Sequence, residues 1–478
     1  MKRQRLAILQ PDPTRAILRP LEIGDRKRVD RTIHRIMALD AESVKSELAR
    51  LLGDFSHRHR DLPGELESRG ERVAGKRIKL TAEQMQLIGA CFSMEYTNEA
   101  AALFNPSMVR HPDQRGVAAD EMRFVLSLRA TGEGHISSIV FRSGLIDRQG
   151  KVQLQPRSPF AVLPRERTNP TFTRTEWTHK LTDFLPLVKV KRLLADLPNE
   201  FTAAAFRKQL AQTWANIFSE RAEQENYAQK IDTLIRSNYA VDFAETSDLS
   251  ERVLFPHAPA ESRGIEDARF VEFRHAGESI YYATTTAYDG FQIQPQMLET
   301  RDFIRFHNHT LSGAAVANKG FALFPRSIDG RYFMLSRQDG ENLYIMNSDS
   351  VFHWPQKELL AEPRYSWEAL QIGNCGSPIE TEAGWLVLTH GVGFLRTYAI
   401  GALLLDLHDP SRVIGRTREP LLRAEGDERH GYVPNVVYSC GGQIWKNQLI
   451  LPYAQSDTSC RFARVAWRQV LHAMDRGE

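Results

Sequence analysis

A chain of 478 residues is long enough for two or three domains, and its 42% of hydrophobic residues can form a substantial core. Its 62 basic and 59 acidic residues leave a formal net charge of +3, and no dense basic run occurs. This balance gives no support to a nucleic-acid-binding protein or to a protein of anionic membrane surfaces.

The N-terminus resembles a signal peptide only superficially. Three basic residues precede four apolar ones, but residues 10–12 (Gln-Pro-Asp) end the stretch well short of a secretory apolar region. No later segment has the roughly 18 uninterrupted apolar residues that span a bilayer. The four cysteines are scattered and fit neither a metal ribbon nor a dense disulfide framework. We therefore expect a reduced, cytoplasmic protein.

The first ninety or so residues have a helical pattern. Residues 31–39 and 41–52 place apolar side chains three and four positions apart among charged ones. Residues 81–84 (Thr-Ala-Glu-Gln) have the form of a capping box that opens a further helix. Helical character returns at about residues 189–242, in segments rich in Ala, Gln and Glu.

The remainder of the chain has the pattern of short strands separated by Gly, Asp and aromatic turn residues. The pattern starts at about residue 98, and after residue 242 pairs of strands recur every forty to sixty residues. The clearest of the later strands are at 270–273, 279–286, 320–324, 332–335, 343–347, 385–389, 398–405, 435–439 and 448–453. Small sheets repeated around an axis fit this spacing better than a single sandwich.

Common catalytic signatures are absent from the sequence: it has no phosphate-binding Gly loop, dinucleotide fingerprint, His-Glu-x-x-His or serine elbow. His307 and His309 are one residue apart and would face the same way on a strand. No third ligand is evident, so the sequence favours cleft-wall or turn residues over a metal site.

Residues 262–271 are the first stretch rich in reactive side chains. Here Glu266 and Asp267 lie between Arg263 and Arg269, just before a predicted strand. A carboxylate beside an arginine is normally held ionised, whereas a catalytic acid needs burial or another carboxylate to raise its pKa. The residues alone leave a turn ion pair and a catalytic carboxyl group both open, and the ion pair is the commoner case.

Residues 318–337 are the second such stretch and predict a β-hairpin around residues 328–330 (Ile-Asp-Gly). Lys319 precedes one strand and Arg337 ends the next, so the two cations would lie side by side at one rim. Like charges at such a position are unfavourable unless an anion, for which phosphate is the obvious candidate, joins them. Two solvated side chains are the alternative.

Residues 376–392 are the third stretch, in which a hairpin turn precedes a strand that ends on His390. A lone histidine is more often structural. Its place at a strand end, in the same pattern as Arg337, makes a role at the rim equally plausible.

In order along the chain, these stretches resemble the motifs of glycoside hydrolase family 130. Residues 264–269 (Gly-Ile-Glu-Asp-Ala-Arg) resemble the family's Gly-x-Glu-Asp-Pro-Arg signature, and residues 284–290 resemble the strand that follows it. Further matches, each weak alone, are at residues 105–107, 129, 324–325, 335–337, 384–385, 390–392, 432–437 and 453–458. The ordered set covers roughly residues 98–470.

The resemblance implies an all-β catalytic domain at residues 98–478, folded as a five-bladed β-propeller with its active site at the end of the central channel. Residues 1–97 would be a helical N-terminal extension, and residues 189–242 a helical insertion. The implied reaction is the reversible, inverting phosphorolysis of β-mannosides with β-1,2 or β-1,4 linkages to α-mannose 1-phosphate. Manno-oligosaccharide and inorganic phosphate would be the partners, without metal or other cofactor, and a homo-oligomer is compatible with the sequence.

The resemblance also implies roles for individual residues. Asp267 would be the general acid, its proton relayed through a sugar hydroxyl. The substrate-binding residues would be Asn105, Arg129, Tyr288, Asp289 and Asp457. The phosphate-binding residues would be Lys319, Arg337, His390 and Tyr398. One acid suffices in this scheme, because phosphate is already an anionic nucleophile that needs positioning and no base.

The sequence departs from the family pattern at a few positions: Ala268 replaces a proline, and Ser336 stands where a histidine is common. Two other functions stay open. A β-mannoside hydrolase would need a second carboxylate as base, for which Glu380 and Glu428 are candidates. A non-catalytic glycan-binding propeller would not require Asp267.

Overall fold

Antiparallel β-strands dominate the structure, a computed structural model that describes residues 1–75, 79–218 and 220–475. We divide the main strands into five sets in chain order. The largest sheet contains the first two sets, and a parallel bridge between Ser137 and Gly264 joins them.

The strand bounds of the five sets are as follows. The first set has Ala102–Arg110, Met122–Thr131, Ser137–Ile146, Val152–Leu154 and Val253–Leu254. The second has Gly264–His275, Glu278–Tyr288, Ile293–Thr300, Arg305–Thr310, Tyr239–Asp242 and Arg165–Glu166. The third has Lys319–Leu323, Tyr332–Arg337, Leu343–Ser348 and Glu358–Ala361.

The fourth and fifth sets complete the sheets. The fourth has Gln371–Asn374, Ile379–Thr381, Gly384–Val392, Tyr398–Leu405, Val413–Thr417, Leu422–Arg423 and Met474–Asp475. The fifth has Val437–Tyr438, Gln443–Trp445, Gln448–Gln455, Ser459–Ala466 and Lys2–Leu9. The later strands predicted from sequence all coincide with strands of these sets.

One register recurs in every set. In each set, the first residue of the first main strand pairs with the last residue of a neighbouring antiparallel strand. The loop that follows this neighbouring strand therefore lies at the end of the set where the first main strand begins. The pairs are Ala102↔Thr131, Gly264↔Tyr288, Lys319↔Arg337, Gln371↔Val392 and Val437↔Gln455. We call this end of each set the entrance edge.

Contacts between consecutive sets involve these inner strands and the loops beside them. In addition to the Ser137–Gly264 bridge, backbone hydrogen bonds join the second set to the third, the third to the fourth, the fourth to the fifth and the fifth to the first. They are Arg274 N to Pro325 O (2.9 Å), Ile372 N to Glu341 O (2.9 Å), Tyr398 N to Asn435 O (3.0 Å) and Cys440 N to Pro106 O (2.8 Å).

Helices precede the first set, as the sequence predicted. They are Arg26–Met37, Ala41–Phe55, Leu62–Ala74 and Ala82–Cys91. The predicted capping box is confirmed, because the side chains of Thr81 and Gln84 each bond the other's backbone N–H at 3.2 Å.

A purely helical N-terminal extension is nevertheless wrong. Lys2–Leu9 is a strand that pairs with Ser459–Ala466 in the fifth set, and Ile17–Pro20 pairs with Ser93–Tyr96. Both segments find partners far along the chain, which a local pattern does not reveal. The domain boundary at residue 97 stays a prediction.

The helical insertion begins earlier than the predicted residue 189. Its helices are Arg174–Thr182, Leu187–Leu193, Ala203–Ile217 and Arg221–Ser237, and its strands Thr171–Thr173 and Glu200–Thr202 pair with each other. The first helix has little apolar periodicity, but Trp177 anchors it in a separate aromatic core with Phe172, Phe201 and Phe206. Residues 239–242, predicted as part of the insertion, are a strand of the second set.

The remaining helical elements are short. A last α-helix is Trp467–His472, and 3₁₀ turns lie at Glu133–His135, Leu249–Glu251, Pro259–Glu261, Ser366–Glu368, Phe394–Arg396 and Gly426–Arg429. Within the described ranges, no helix combines the length and apolar character needed to cross a bilayer.

Candidate active site

Asp267 lies near the entrance edge of the second set, at a bulge in the strand Gly264–His275. The pairing register shifts between Glu266 and Arg269, and Asp267 has a φ of 53°. A bulge turns a side chain out of the normal alternation of a strand. The carboxyl group of Asp267 is consequently buried, with the residue 7% exposed.

Asn105 has the same geometry in the first set. The register shifts between Phe104 and Ser107, and Asn105 has a φ of 49°. Its amide nitrogen donates a short hydrogen bond to Oδ1 of Asp267. The two bulges thus bring an amide and a carboxylate together from neighbouring sets.

Two arginines flank the Asp267 carboxylate. Arg129 Nη1 lies 3.6 Å from Oδ1, and Arg269 Nη2 lies 3.5 Å from Oδ2. Burial raises the pKa of Asp267, but Arg269, Arg129, Lys319 and the Asn105 hydrogen bond outweigh burial and lower it to about 2. The protein's own charges therefore keep Asp267 ionised at neutral pH, and proton donation needs a further charge that opposes these cations.

Glu266 occupies the space between two of these cations. Arg129 Nη2 donates to Glu266 Oε1 at 2.7 Å, and Lys319 Nζ lies 3.7 Å from Oε2. Glu266 thereby holds Lys319 on the Asp267 side of its hairpin. The two adjacent carboxylates of the sequence motif have different surroundings. Asp267 is buried at the centre of the site, and Glu266 contacts the cations beside it.

The hairpin that contains Lys319 and Arg337 is confirmed. The two residues are direct partners in the register, and Ile328 bridges Arg331 at the turn. Arg337 Nη1 donates to Gly340 O at 3.0 Å. Its buried Nε finds no acceptor within the described part of the chain, so a polar donor is left available for a ligand.

His390 is fully buried in the strand Gly384–Val392 and is neutral. Its Nδ1 lies 3.1 Å from Asn374 O, an acceptor only, so Nδ1 must carry the proton. Nε2 is then an acceptor, and Gln371 Nε2 lies 3.4 Å from it. Burial, followed by Arg337 and Arg269, lowers the pKa of His390 well below its usual value. This ring is no third cation, and it can accept a hydrogen bond from a protonated phosphate oxygen.

Gly373 holds the His390 and Arg337 side chains against the main chain. A Cβ at this position would lie 2.5 Å from His390 Cε1 and 3.2 Å from Arg337 Cδ. Both side chains therefore pack on the same glycine, which places the predicted phosphate-binding residues of the third and fourth sets beside each other.

Tyr438 is a site residue that the sequence reasoning missed, and Arg269 was noted there only as a neighbour of the two carboxylates. Arg269 Nη2 donates to the Tyr438 hydroxyl at 2.7 Å, and the Tyr438 ring meets His390 edge-on at 4.8 Å. Burial raises the pKa of Tyr438 well above its usual value. Tyr438 links the Asp267 side of the site to the His390 side. It directly follows a matched motif, residues 432–437, and this adjacency is the signal that could have found it.

Tyr398 lies beside the same cluster. Its ring stacks near His390, with centroids 6.0 Å apart, and approaches Tyr438 edge-on at 6.2 Å. Tyr398 begins the strand that pairs with the strand of His390. The structure thus places Tyr398 beside His390, and its predicted contact with phosphate stays a prediction.

Asp457 is a second carboxyl group of the site, and the charge of Asp267 acts on it. Asp457 lies in the turn between Gln448–Gln455 and Ser459–Ala466 with a φ of 48°. Burial raises its pKa to about 6, and the negative charge of Asp267 adds to this, whereas Arg129 and Arg396 oppose it. Two carboxyl groups with strongly different pKa values are typical of sites that perform acid–base chemistry.

Tyr288 and Asp289 lie at the rim and are occupied by their own turn. Asp289 Oδ1 accepts from the backbone N–H of Phe291 and Gln292 at 2.8 and 2.7 Å. The Tyr288 hydroxyl donates to Gly290 O at 2.9 Å. Their contact with substrate stays a prediction, because these hydrogen bonds shape the hairpin itself.

The candidate bases of a hydrolase lie elsewhere. Glu380 pairs with Trp385 in the sheet. Trp385 precedes His390 by five residues in the same strand, a distance of roughly 16 Å at the usual rise per residue. Glu380 forms a bidentate ion pair with Arg326. Glu428 accepts from Arg3 at 3.0 Å and from the Tyr453 hydroxyl at 2.6 Å. Both carboxylates are thus engaged in structural contacts.

His307 and His309 face the same way, as predicted, with ring centroids 6.4 Å apart. His309 Nδ1 lies 2.9 Å from Glu176 of the helical insertion, and its ring stacks on Phe352 at 4.1 Å. His309 therefore joins the insertion to the strands of the second set.

Comparison with known proteins finds one family along most of the sheet-forming chain. The glycoside hydrolase family 130 model, described as beta-1,4-mannooligosaccharide phosphorylase, matches residues 214–476. A 1,2-beta-oligomannan phosphorylase of Thermoanaerobacter sp. is 35% identical over 232 residues, which are 47% of this chain and 76% of the relative. A Beta-1,4-mannooligosaccharide phosphorylase of Ruminococcus albus is 35% identical over 160 residues, 30% of this chain and 47% of the relative.

A solved structure of the Listeria innocua Beta-1,2-Mannobiose phosphorylase in complex with beta-1,2-mannobiose is also similar. The similarity covers 78% of this chain and 92% of that one, at 21% identity and a TM-score of 0.48.

Proposed function

Because the chain belongs to glycoside hydrolase family 130, we propose that it catalyses the reversible, inverting phosphorolysis of β-mannosides. The substrates would be manno-oligosaccharides with β-1,2 or β-1,4 linkages, and the products α-mannose 1-phosphate and a shortened acceptor. The names of the relatives support both linkages.

One observation carries the proposal: the buried carboxyl group of Asp267 lies beside cations that belong to a different strand set. Lys319 contributes to the charge that acts on Asp267, and Arg337 faces Lys319 across the hairpin. Such a pair can position an anionic nucleophile, whereas water would gain nothing from it and would lack a base.

Phosphate binding would also explain how Asp267 becomes an acid. The arginines and Lys319 lower its pKa to about 2. A phosphate dianion bound at Lys319 and Arg337 would offset this positive field and add a repulsive negative charge, and both effects raise the pKa of a carboxyl group. Proton donation would thus be coupled to the arrival of the nucleophile.

The reaction then proceeds in one displacement. A phosphate oxygen attacks the anomeric carbon on the face opposite the leaving group, and the glycosidic bond breaks. The glycosidic oxygen takes up the proton that Asp267 supplies through a sugar hydroxyl. His390, which is neutral, accepts a hydrogen bond from a protonated phosphate oxygen, while Tyr398 lies within reach of the same position. Attack from the opposite face converts a β-linkage into an α-phosphate.

The mannosyl ring is proposed to be held by Asn105, Arg129 and Asp457. Asn105 and Arg129 contact Asp267 directly, and Asp457 interacts electrostatically with both Arg129 and Asp267. Their convergence from the first and fifth sets supports a sugar site around Asp267. Tyr288 and Asp289 would meet substrate only at the rim.

We further propose that the five strand sets are the five blades of a β-propeller. Each set hydrogen-bonds to the next, and the bond from Cys440 N to Pro106 O supports a return from the fifth set to the first. The strand Lys2–Leu9 at the edge of the last set would then close the ring with the beginning of the chain. A cytoplasmic location and a homo-oligomer stay predictions.

The decisive test is an NMR time course with β-1,2- and β-1,4-mannobiose, with and without inorganic phosphate. We expect α-mannose 1-phosphate and one free mannose per disaccharide, and only in the presence of phosphate. Two mannose molecules per disaccharide, released at the same rate in phosphate-free buffer, would favour the hydrolase. Glu380→Gln is the matched control and should leave the rate unchanged, because Glu380 pairs with Trp385, near the opposite end of the His390 strand.

A further inference from the structure

Two loops at the entrance edge have the same backbone conformation. They are residues 132–136 of the first set and residues 393–397 of the fourth. Gly132 has φ and ψ of −116° and −152°, and Gly393 has −104° and −157°. Each loop closes with a backbone hydrogen bond, Gly132 N to Ile136 O and Gly393 N to Thr397 O, at 3.4 and 3.0 Å. The two loops can therefore be compared position by position.

Each loop has two left-handed residues, and the loops differ at the first of these two positions. The first loop has a glycine there, Gly134, with a φ of 67°, whereas the second has Leu395 with a φ of 54°. Leucine meets a steric penalty in this region that glycine avoids. Leu395 is also 95% exposed and its neighbour Phe394 is 73% exposed, so internal packing gives no compensation. Strained backbone of this kind is concentrated at ligand-binding sites.

The position of the second loop connects it to the proposed site. It joins the strand of His390 to the strand of Tyr398, and Arg396 acts electrostatically on Asp457. Phe394, Leu395 and Arg396 thus form a surface at the entrance, beyond the buried groups. We call these three residues the entrance triplet.

We propose that the entrance triplet binds the acceptor part of a manno-oligosaccharide, and this inference rests on the proposed function. The sugar bound would be the second one on the acceptor side of the cleaved bond. The apolar face of a mannose ring fits Phe394 and Leu395, while its hydroxyl groups suit the guanidinium of Arg396. Two adjacent apolar side chains are too small a surface for a stable protein interface, which buries roughly 1,200 Å² or more in total. Their continuity with the proposed sugar site favours a glycan as the occupant.

The test compares kcat/KM for mannotriose and mannobiose of one linkage, whichever series the wild-type enzyme uses. Mannobiose is too short to reach the proposed subsite. The ratio of kcat/KM for mannotriose to kcat/KM for mannobiose therefore measures the contribution of the entrance triplet. We expect the wild-type enzyme to favour mannotriose, and Phe394→Ala combined with Leu395→Gly to lower the ratio about three- to tenfold, as expected for loss of one stacking contact. Leu395→Gly alone should lower the ratio while raising the melting temperature, because it relieves the left-handed strain.

Leu359→Ala is the control, since Leu359 is 47% exposed on a strand of the third set, and both constants should stay unchanged. If the double variant retains the wild-type ratio, or if wild-type enzyme shows no preference for mannotriose, the inference is wrong while the proposed function stands. If wild-type enzyme shows no phosphate-dependent cleavage of mannobiose or mannotriose, the proposed function itself fails.

Discussion

Lys319 and Arg337 face each other as direct partners across an antiparallel strand pair. Like charges at such positions repel each other, and each cation here turns to a different acceptor. Lys319 lies 3.7 Å from Glu266, and Arg337 donates to Gly340 O at 3.0 Å. The repulsion is thus reduced without removing the positive field between the two side chains, which is the feature that an anion would use.

The first prediction concerns this pair. Lys319→Ala and Arg337→Ala should each raise the KM for phosphate about 10- to 150-fold, because a charge-assisted hydrogen bond contributes about 1.5–3 kcal/mol. The KM for the mannoside should change much less. Initial rates over a matrix of both substrates give the two constants. Equal losses for phosphate and mannoside would show that the pair supports the fold or the sugar.

A second prediction is that Asp267→Asn abolishes turnover without unfolding the protein. The amide is nearly isosteric but has no proton to donate, and the loss of a positioned acid costs about 100- to 10,000-fold. The measurement is kcat on an unactivated mannoside, with the circular dichroism spectrum as the check on folding. Near-normal activity would place the acid elsewhere, with Glu266 and Asp457 as the residues to test next.

The third prediction tests the packing behind the phosphate site. Gly373→Ala should weaken phosphate binding, because the added Cβ would lie 2.5 Å from His390 Cε1 and 3.2 Å from Arg337 Cδ and would displace these side chains. Phosphate titration by calorimetry measures the effect. Gly53→Ala is the matched control, since Gly53 lies in the helix Ala41–Phe55 with nothing within 4 Å of an added Cβ. Wild-type affinity in Gly373→Ala would show that His390 and Arg337 do not depend on this contact.

The fourth prediction is a pH dependence of stability that comes from Asp457. Its folded pKa is about 6 against an ordinary value of 3.8, so the folded state binds the proton more tightly. This group therefore stabilises the fold least above pH 6, where the buried carboxyl group must ionise. Asp457→Asn removes that penalty.

We expect the melting temperature of Asp457→Asn to exceed that of the wild-type protein at pH 7.5, with a difference that shrinks as the pH falls from about 6 toward about 4. Thermal unfolding across this pH range gives the comparison. A difference that is constant with pH, or that grows toward low pH, would show that Asp457 does not have a raised pKa.

Several features followed from the sequence because they depend on nearby residues. The turn at residues 328–330 joins the two strands of its hairpin, and their pairing, with a register shift between Lys319 and Ala322, places Lys319 opposite Arg337. The Thr81–Gln84 capping box is local in the same way. The order of the family motifs indicated which residues belong to one site, although none of the motifs is specific by itself.

Tertiary structure decided what depends on distant partners and on burial. Lys2–Leu9 is a strand because Ser459–Ala466 offers it an edge, and Tyr438 joins the site because Arg269, 169 residues away, donates to its hydroxyl. The charge of His390 is a property of its buried surroundings, since desolvation and two arginines from other strands keep the ring neutral. Residue types and their spacing indicate which side chains belong to a site. The protonation state of those side chains depends on their desolvation and on the charges that the fold places beside them.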